Sequence, residues 1–327
     1  MLVTLLMVVI GLGVLLGGGA ITVRGAVSLA RCLGVSPLMI GMTIIAFGTS
    51  APELMVSIQA VLSQHPDIVL GNVVGSNVAN ILLIVGVAAA IKTMLAPGGS
   101  ALRRDYTLLL IFTVIFAGLS CLGSFSWESG ALMVVGLIAY TTWSFKRSQG
   151  ANGDDVADAE SVEELGQKPL PLGASLLLTT GGICGVILGA YLLLEGSVDL
   201  ARMWGVSEVV IGLTVIAIGT SLPELATSVM AALRGHPSIA IGNVIGSNLF
   251  NMFGITGVAA VVSGSTLHVP AQVAFFDLWV MLGATLFICV ILLKGWSIAR
   301  LGGLAMIALY VFYIAILFER APLGLAA

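Results

Sequence analysis

Charged side chains are scarce in this chain. Of its 327 residues only 9% are Asp, Glu, Lys or Arg, whereas 58% are hydrophobic and the mean hydropathy is +1.12. Soluble globular domains carry about 25% charged residues, so this composition excludes one and indicates a protein embedded in a bilayer. The basic residues form no cluster larger than the pairs Arg103–Arg104 and Lys146–Arg147. The sequence therefore has no basic patch of the kind that binds nucleic acid.

Cysteine and histidine are also rare. The four cysteines (Cys32, Cys121, Cys184 and Cys289) show no C-x-x-C spacing, which argues against a zinc site, and we interpret them as buried small apolar side chains. With three histidines and no Ser/His/Asp arrangement, we expect no enzyme and no cofactor. The first apolar run lacks the basic start of a secretory signal, which favours a transmembrane helix.

Apolar runs long enough to cross a membrane recur along the chain. A helix needs about 20 residues to cross about 30 Å of hydrocarbon. Runs of this kind lie at approximately 2–23, 37–63, 68–91, 105–124, 128–145, 171–194, 208–233, 239–262, 271–293 and 297–318. The sequence therefore predicts an all-α polytopic membrane protein with ten transmembrane helices.

The chain repeats itself at an offset of 171 residues, which pairs Glu53 with Glu224 and Asn72 with Asn243. Without gaps, roughly half of residues 31–89 are identical to residues 202–260. We predict a first five-helix repeat over 1–146, an acidic linker over 147–169, and a second five-helix repeat over 170–327. Because five is odd, the second repeat should enter the membrane inverted.

The basic residues predict the orientation. With both termini outside, only Arg202 and Arg320 fall in external loops. The cytoplasmic side then collects Arg24, Arg31, Lys92, Arg103, Arg104, Lys146, Arg147, Lys168, Arg234, Lys294 and Arg300. This asymmetry follows the positive-inside rule and makes the linker cytoplasmic. We expect a prokaryotic inner membrane, since the chain has no large regulatory domain.

A Gly-Thr-Ser-x-Pro-Glu motif lies inside the second and seventh runs, at residues 48–53 and 219–224. Pro52 and Pro223 have no amide hydrogen, so both helices should break there. Freed backbone at membrane depth is tolerated only in protein or beside a wet cavity. Glu53 and Glu224 are the carboxylates placed well inside apolar runs, whereas Asp277 is expected nearer an interface. A buried charge needs a counter-charge, and no Lys or Arg lies at that depth.

A second motif, Gly-Asn-Val-x-Gly-Ser-Asn, occupies residues 71–77 and 242–248. The four-residue spacing of Asn72, Ser76 and Asn80 places three polar groups on one helix face, and Asn243, Ser247 and Asn251 repeat it. Glycines four apart should let the broken helices approach closely. Carboxylate, hydroxyl and amide oxygens without His or Cys suit calcium or sodium. Ser, Thr and Asn could equally serve only as hydrogen bonds between helices.

These duplicated motifs resemble the cation/calcium exchanger superfamily, in particular bacterial sodium/calcium exchangers, over nearly the whole chain. The resemblance implies Glu53 and Glu224 as principal calcium ligands. It implies further sodium or calcium ligands at Thr49, Ser50, Ser76, Asn80, Thr220, Ser221, Ser247 and Asn251 and at the carbonyls of Ala46 and Ala217. Potassium-dependent members carry an aspartate where this chain has Asn251, which argues against potassium co-transport.

The resemblance implies a secondary active antiporter that exchanges sodium for calcium by alternating access and extrudes calcium from the cytoplasm. Its partners would be calcium and sodium ions and the lipid bilayer, without an obligate protein partner. A calcium/proton antiporter is the alternative, since two buried carboxylates can also carry protons. A passive cation channel is a further alternative. Proton-coupled members show Gly-Asn-x-x-Glu at the first motif, so Gly-Thr-Ser-x-Pro-Glu favours sodium.

Overall fold

The computed structural model describes residues 1–94, 100–148, 170–204, 219–264 and 266–320, and almost all of them are helical. We number the helices in chain order. They are α1 (Leu2–Leu33), α2 (Pro37–Thr49), α3 (Ala51–Leu62), α4 (Asp67–Ile91), α5 (Ser100–Cys121), α6 (Trp127–Ser148), α7 (Leu172–Met203), α8 (Leu222–Leu233), α9 (Pro237–Val262), α10 (Val273–Leu293) and α11 (Arg300–Arg320). Each predicted apolar run overlaps one or two of these helices.

Seven of the described helices are long and apolar enough to cross a membrane, or eight if α2 and α3 form one bent span. Helix α6 is not among them, and the seventh run is represented only by α8 because residues 205–218 lie outside the described part of the chain. The protein is therefore an integral membrane protein built from helices. Ten crossings and an inverted second repeat stay predictions.

The first helix of each predicted repeat is longer than its apolar run. Helices α1 and α7 each span 32 residues, about 48 Å at 1.5 Å per residue, so the predicted ends near 23 and 194 were wrong. Arg24 and Arg31 consequently lie on α1 rather than in a loop. A hydropathy run ends at the first charged residues, whereas the helix itself continues until its backbone leaves the helical conformation. For α1 this is Gly34, which has φ 64°.

Helices α1 and α7 pack along their length with glycines at the contact. A Cβ on Gly18 would lie 2.6 Å from the Val186 nitrogen, and one on Gly25 would lie 2.5 Å from the Thr179 nitrogen. The glycines that face the partner helix closely recur every seven residues in both helices: Gly11, Gly18, Gly25, Gly182, Gly189 and Gly196. Small residues at these positions allow the two backbones to touch, as in other membrane helix pairs.

The helix that carries the first glutamate is broken as predicted. Helices α2 and α3 meet at Ser50 with a bend of 42°, and Pro52 is among the first residues of α3. Ser221 directly precedes α8 with φ −88° and ψ 4°, close to the φ −84° and ψ 8° of Ser50. The two motifs therefore produce the same local backbone, with each glutamate in the first turn of a helix.

Helices α4 and α9 form the centre of the molecule. The apolar windows of α4 and α9 are 72% and 83% buried inside the protein, against 22–44% for the other long helices. In α9, the backbone carbonyl of Leu38 in α2 would lie 2.5 Å from a Cβ on Gly242, and Gly246 lies against Met42 in the same way. The predicted close approach of a broken helix to the second motif is thus present at α9. The matching part of the seventh run lies outside the described residues.

Short backbone pairings tie loops together at two points. Strand β1 (Ser124–Phe125) pairs antiparallel with β2 (Leu267–His268), and Met94 forms an isolated bridge with Ile298. The cysteines correct one expectation. All four are free thiols, but only Cys289 is buried, whereas the other three lie on the exposed surface. Much of that surface can face lipid, so hydropathy does not separate an interior cysteine from a lipid-facing one.

Candidate ion-binding site

The two motif glutamates are buried in the centre of the protein. Glu53 in the first turn of α3 and Glu224 in the first turn of α8 are each 1% exposed. No ion pair joins either carboxylate to a Lys, Arg or His within the described ranges. Two acidic groups are therefore held away from water without a protein cation, which is costly unless a proton or a mobile cation accompanies them.

Serines from the opposite motif hold the glutamates in a crossed arrangement. The Ser50 hydroxyl donates to Glu224 Oε1 at 2.8 Å, and the Ser221 hydroxyl donates to Glu53 Oε1 at 3.5 Å. Ser50 is three residues before Glu53, and Ser221 is three residues before Glu224. Each broken helix therefore contributes a carboxylate of its own and a hydroxyl bound to the other carboxylate, which brings the two motifs together.

Asparagines of the second motif form hydrogen bonds to the backbone carbonyl of each glutamate. The Asn72 amide donates to the Glu53 carbonyl oxygen at 3.2 Å and to the Ser57 hydroxyl at 3.0 Å. Asn243 donates to the Glu224 carbonyl oxygen at 3.4 Å and to Ser228 at 3.1 Å. These bonds fix the start of α3 to α4 and the start of α8 to α9. The roles of Ser57 and Ser228 were missed, because a single serine on an apolar helix carries no signal in the sequence.

Four further asparagines meet where α4 and α9 cross. Asn80 Nδ2 donates to Asn248 Oδ1 at 3.0 Å, and Asn251 Nδ2 donates to Asn77 Oδ1 at 3.2 Å. All four side chains are 1% exposed. The two bonds are equivalent under the 171-residue offset, so the crossed pattern of the serines is repeated by the amides.

Several oxygens in this region have no hydrogen-bond partner among the described residues. They are Glu53 Oε2, Glu224 Oε2, Asn80 Oδ1, Asn251 Oδ1 and Ser247 Oγ. Buried polar atoms in proteins are nearly always paired, so a group of unpaired acceptor oxygens indicates a ligand. Carboxylate, amide and hydroxyl oxygens are the ligands preferred by sodium and calcium.

The other predicted ligands are mostly buried nearby. Thr49 is fully buried and donates to Asn243 Oδ1 at 3.3 Å, and Ser76 is 7% exposed. The Ala46 carbonyl accepts bonds from the Ser50 nitrogen at 3.0 Å and from the Thr49 hydroxyl at 3.4 Å, so a cation there would have to displace the longer one. Thr220 is partly exposed at the turn before α8. Ala217 lies outside the described residues.

Widened helical turns occur next to the site, and residue type and spacing did not predict them. Residues Gly41–Ile45 of α2, Asn80–Ile84 of α4 and Phe250–Ile255 of α9 form π-helical turns. Such turns release backbone groups from the regular ladder and are common at functional sites. Asn80 begins one of them and Asn251 lies within another, so both amides sit where the helix is locally loosened.

Two other buried carboxylates have protein partners. Asp105 of α5 is 3% exposed and lies 3.5 Å from an Arg104 nitrogen, and Asp277 of α10 is 6% exposed and accepts a 3.1 Å bond from the Tyr313 hydroxyl. The structure buries Asp277 against α11, and its expected place near an interface stays a prediction. The central glutamates differ from both, because each keeps one oxygen that no described residue binds.

Fold and site together define a helical membrane protein whose buried acidic centre is suited to hard cations. The family model described as sodium/calcium exchanger protein matches residues 3–146 and 174–319. The chain belongs to the sodium/calcium exchanger family. This result confirms the family inferred from the duplicated motifs.

Similar proteins cover almost the whole chain. A putative antiporter, CaxA, from Alkalimonas amylolytica is 35% identical over 98% of this chain and all of its own length. The sodium/calcium exchanger MaX1 from Methanosarcina acetivorans is 34% identical over 97% of this chain and 99% of its own. A solved structure of the sodium-calcium exchanger NCX_Mj aligns with a TM-score of 0.83 at 30% identity, covering 97% of this chain and 99% of that one.

Proposed function

We propose that the protein is a secondary active antiporter that exchanges sodium for calcium across the membrane and extrudes calcium from the cytoplasm. The observation that carries this proposal is the pair of buried glutamates, each with an unpaired oxygen and neither in an ion pair with a described residue. Two carboxylates balance one divalent cation, and sodium ions can use the same oxygens. The names of MaX1 and NCX_Mj as exchangers of these ions support the assignment.

Glu53 and Glu224 are the proposed principal ligands for calcium. The sodium or calcium ligands completing the set are Thr49, Ser50, Ser76, Asn80, Thr220, Ser221, Ser247, Asn251 and the carbonyls of Ala46 and Ala217. The burial of every described member except Thr220, and the oxygens of Asn80, Asn251 and Ser247 that have no partner among the described residues, support this set. Sodium and calcium compete because they bind the same oxygens.

The proposed architecture has ten transmembrane helices in two inverted five-helix repeats, 1–146 and 170–327, joined by an acidic cytoplasmic linker over 147–169. Both termini are external, and the membrane is a prokaryotic inner membrane. The crossed serine and asparagine bonds, equivalent under one offset, support a pseudo-twofold relation between the repeats. Such a relation suits alternating access, in which one central site opens to one side at a time.

Coupling follows from the charge of the empty site. A ligand shifts a conformational equilibrium only by its differential affinity for the two states. Two unneutralised buried glutamates disfavour the passage through a closed state, so the site switches sides only with ions bound. Leak is thereby prevented, and sodium entering down its gradient drives calcium out.

The test is uptake of calcium-45 by proteoliposomes loaded with sodium. We expect an outward sodium gradient to accelerate uptake strongly, with no further effect of potassium. Replacement of the sodium gradient by a pH gradient should leave uptake slow. Uptake driven by the pH gradient instead would identify a calcium/proton antiporter, and uptake indifferent to any counter-ion would identify a channel.

A further inference from the structure

Asn77 and Asn248 each hold the amide of a proposed ligand by one end. Asn77 Oδ1 accepts from the Asn251 nitrogen at 3.2 Å, and Asn248 Oδ1 accepts from the Asn80 nitrogen at 3.0 Å. Neither Asn77 nor Asn248 belongs to the proposed ligand set. Both are buried, at 1% exposure, on the neighbouring helix.

The direction of these two bonds determines which end of each ligand amide is free. An asparagine amide has one acceptor end, the carbonyl oxygen, and one donor end, the NH₂ group. Because the NH₂ groups of Asn80 and Asn251 are engaged, their Oδ1 atoms remain, and both are buried without a partner in the described parts of the chain. The reverse orientation would turn NH₂ groups, which repel a cation, into the site.

The two ligand amides lie beside the glutamate helices. The turn Asn80–Ile84 packs against α8, which carries Glu224, and the turn Phe250–Ile255 packs against α3, which carries Glu53. Each oriented oxygen therefore belongs to a segment in contact with the carboxylate helix of the other repeat. This crossing joins the amide pairs to the same centre as the two glutamates.

We propose that Asn77 and Asn248 are positioning residues that keep the amide oxygens of Asn251 and Asn80 turned toward the bound cation. The proposal rests on the function proposed above and adds the residues that set the polarity of its neutral ligands. An aspartate ligand would need no such partner, because both ends of a carboxylate are acceptors. Asn77 and Asn248 are needed because this chain uses asparagine at both ligand positions.

The two positioning residues are not equally secured. Asn77 Nδ2 donates to the Asn248 carbonyl oxygen at 3.3 Å and lies 3.6 Å from Met281 Sδ, so both ends of this amide are fixed. Asn248 Nδ2 has no partner among the described residues. Asn77 should therefore hold Asn251 more firmly than Asn248 holds Asn80.

The test is a pair of double-mutant cycles read by equilibrium binding of calcium-45 to purified protein. In the wild-type background, Asn77→Leu leaves the Asn251 amide free to rotate, and we expect calcium binding to weaken by about tenfold or more. In an Asn251→Asp background, either carboxylate oxygen of the ligand can face the cation. Asn77→Leu should then weaken calcium binding by less than about twofold. Asn248→Leu should behave in the same way against Asn80→Asp.

A general structural role for Asn77 and Asn248 predicts equal losses in both backgrounds, and this outcome would overturn the proposal, as would unchanged binding in the wild-type background. Asn77→Ala and Asn248→Ala replace the leucine variants if those are not monodisperse. Equilibrium binding separates this test from the proposed function. If wild-type protein binds calcium but shows no sodium-driven uptake, the exchange function is wrong, and the double-mutant cycles still test the role of Asn77 and Asn248.

Discussion

At the scale of single residues, each central carboxylate uses only one of its two oxygens in a hydrogen bond to a described residue. Each glutamate has one oxygen bound by a serine and one oxygen without a partner among the residues described. A charge at the bilayer centre costs roughly 2.5–3.5 kcal/mol even on insertion scales. This cost is offset only when the oxygen without a partner binds a cation or a proton. The site with neither bound is therefore its least stable state.

Replacing one carboxylate by an amide tests this account. We expect Glu53→Gln and Glu224→Gln each to abolish sodium-driven calcium-45 uptake, because one glutamate cannot balance a divalent ion. Both variants should still fold, with thermal midpoints equal to or above that of the calcium-free wild type, since a buried charge is removed. Calcium should raise the midpoint of the wild type and not of the variants. Normal transport by either variant would contradict the proposed site.

The two serines predict unequal effects. Ser50 binds Glu224 at 2.8 Å, whereas Ser221 is 3.5 Å from Glu53, at the limit of a hydrogen bond. We expect Ser50→Ala to raise the half-saturating calcium concentration by roughly tenfold and Ser221→Ala by less. Each variant is the matched control of the other, because the positions are equivalent in the repeat. Equal effects would show that the difference in distance has no energetic meaning.

At the scale of elements, the glycines of α1 and α7 determine how closely these helices pack. Gly17 and Gly18 are neighbours in α1, but only Gly18 faces α7, and a Cβ there would lie 2.6 Å from the Val186 nitrogen. A Cβ on Gly17 would meet no atom of the described residues within 4 Å. The pair therefore provides a target and a control that differ by one position.

We expect Gly18→Ala to destabilise the protein by about 1–3 kcal/mol, because the two backbones must separate to admit a methyl group. Gly17→Ala should be neutral or slightly stabilising, since alanine is the better helix former. The measurement is the thermal midpoint of both purified variants in the same detergent. A Gly18→Ala midpoint equal to that of Gly17→Ala would contradict the packing described here.

At the scale of the whole molecule, the proposed inverted repeats would place equivalent loops on opposite sides of the membrane. Ser63 follows α3 and Arg234 follows α8; both are exposed, with similar backbone angles (φ −87° and −81°). The 171-residue offset pairs them. The proposed inversion therefore has a direct experimental consequence.

We expect Ser63→Cys to react with a membrane-impermeant maleimide added outside intact cells, and Arg234→Cys to react only after the membrane is permeabilised. The four native cysteines must first be replaced, because three of them are exposed. Labelling of both positions from the same side would refute the inverted repeats.

The sequence by itself determined the class of protein, the family and the two duplicated motifs that contain the candidate site residues. Apolar runs locate membrane helices, and an internal repeat with Gly-Thr-Ser-x-Pro-Glu indicates broken helices with a buried acid, since both signals are local in the chain. The 42° bend before Pro52 and the central burial of both glutamates match that expectation.

Only the tertiary structure decided which atoms pair and which remain free. The serines bind the glutamate of the opposite motif, Asn77 and Asn248 orient the amides of Asn251 and Asn80, and α1 and α7 continue well past their apolar runs. The hydrogen bonds among them depend on contacts between residues about 170 positions apart and on the direction of individual amide bonds. Residue type and spacing do not encode either, because one asparagine can present an oxygen or a nitrogen according to its neighbour.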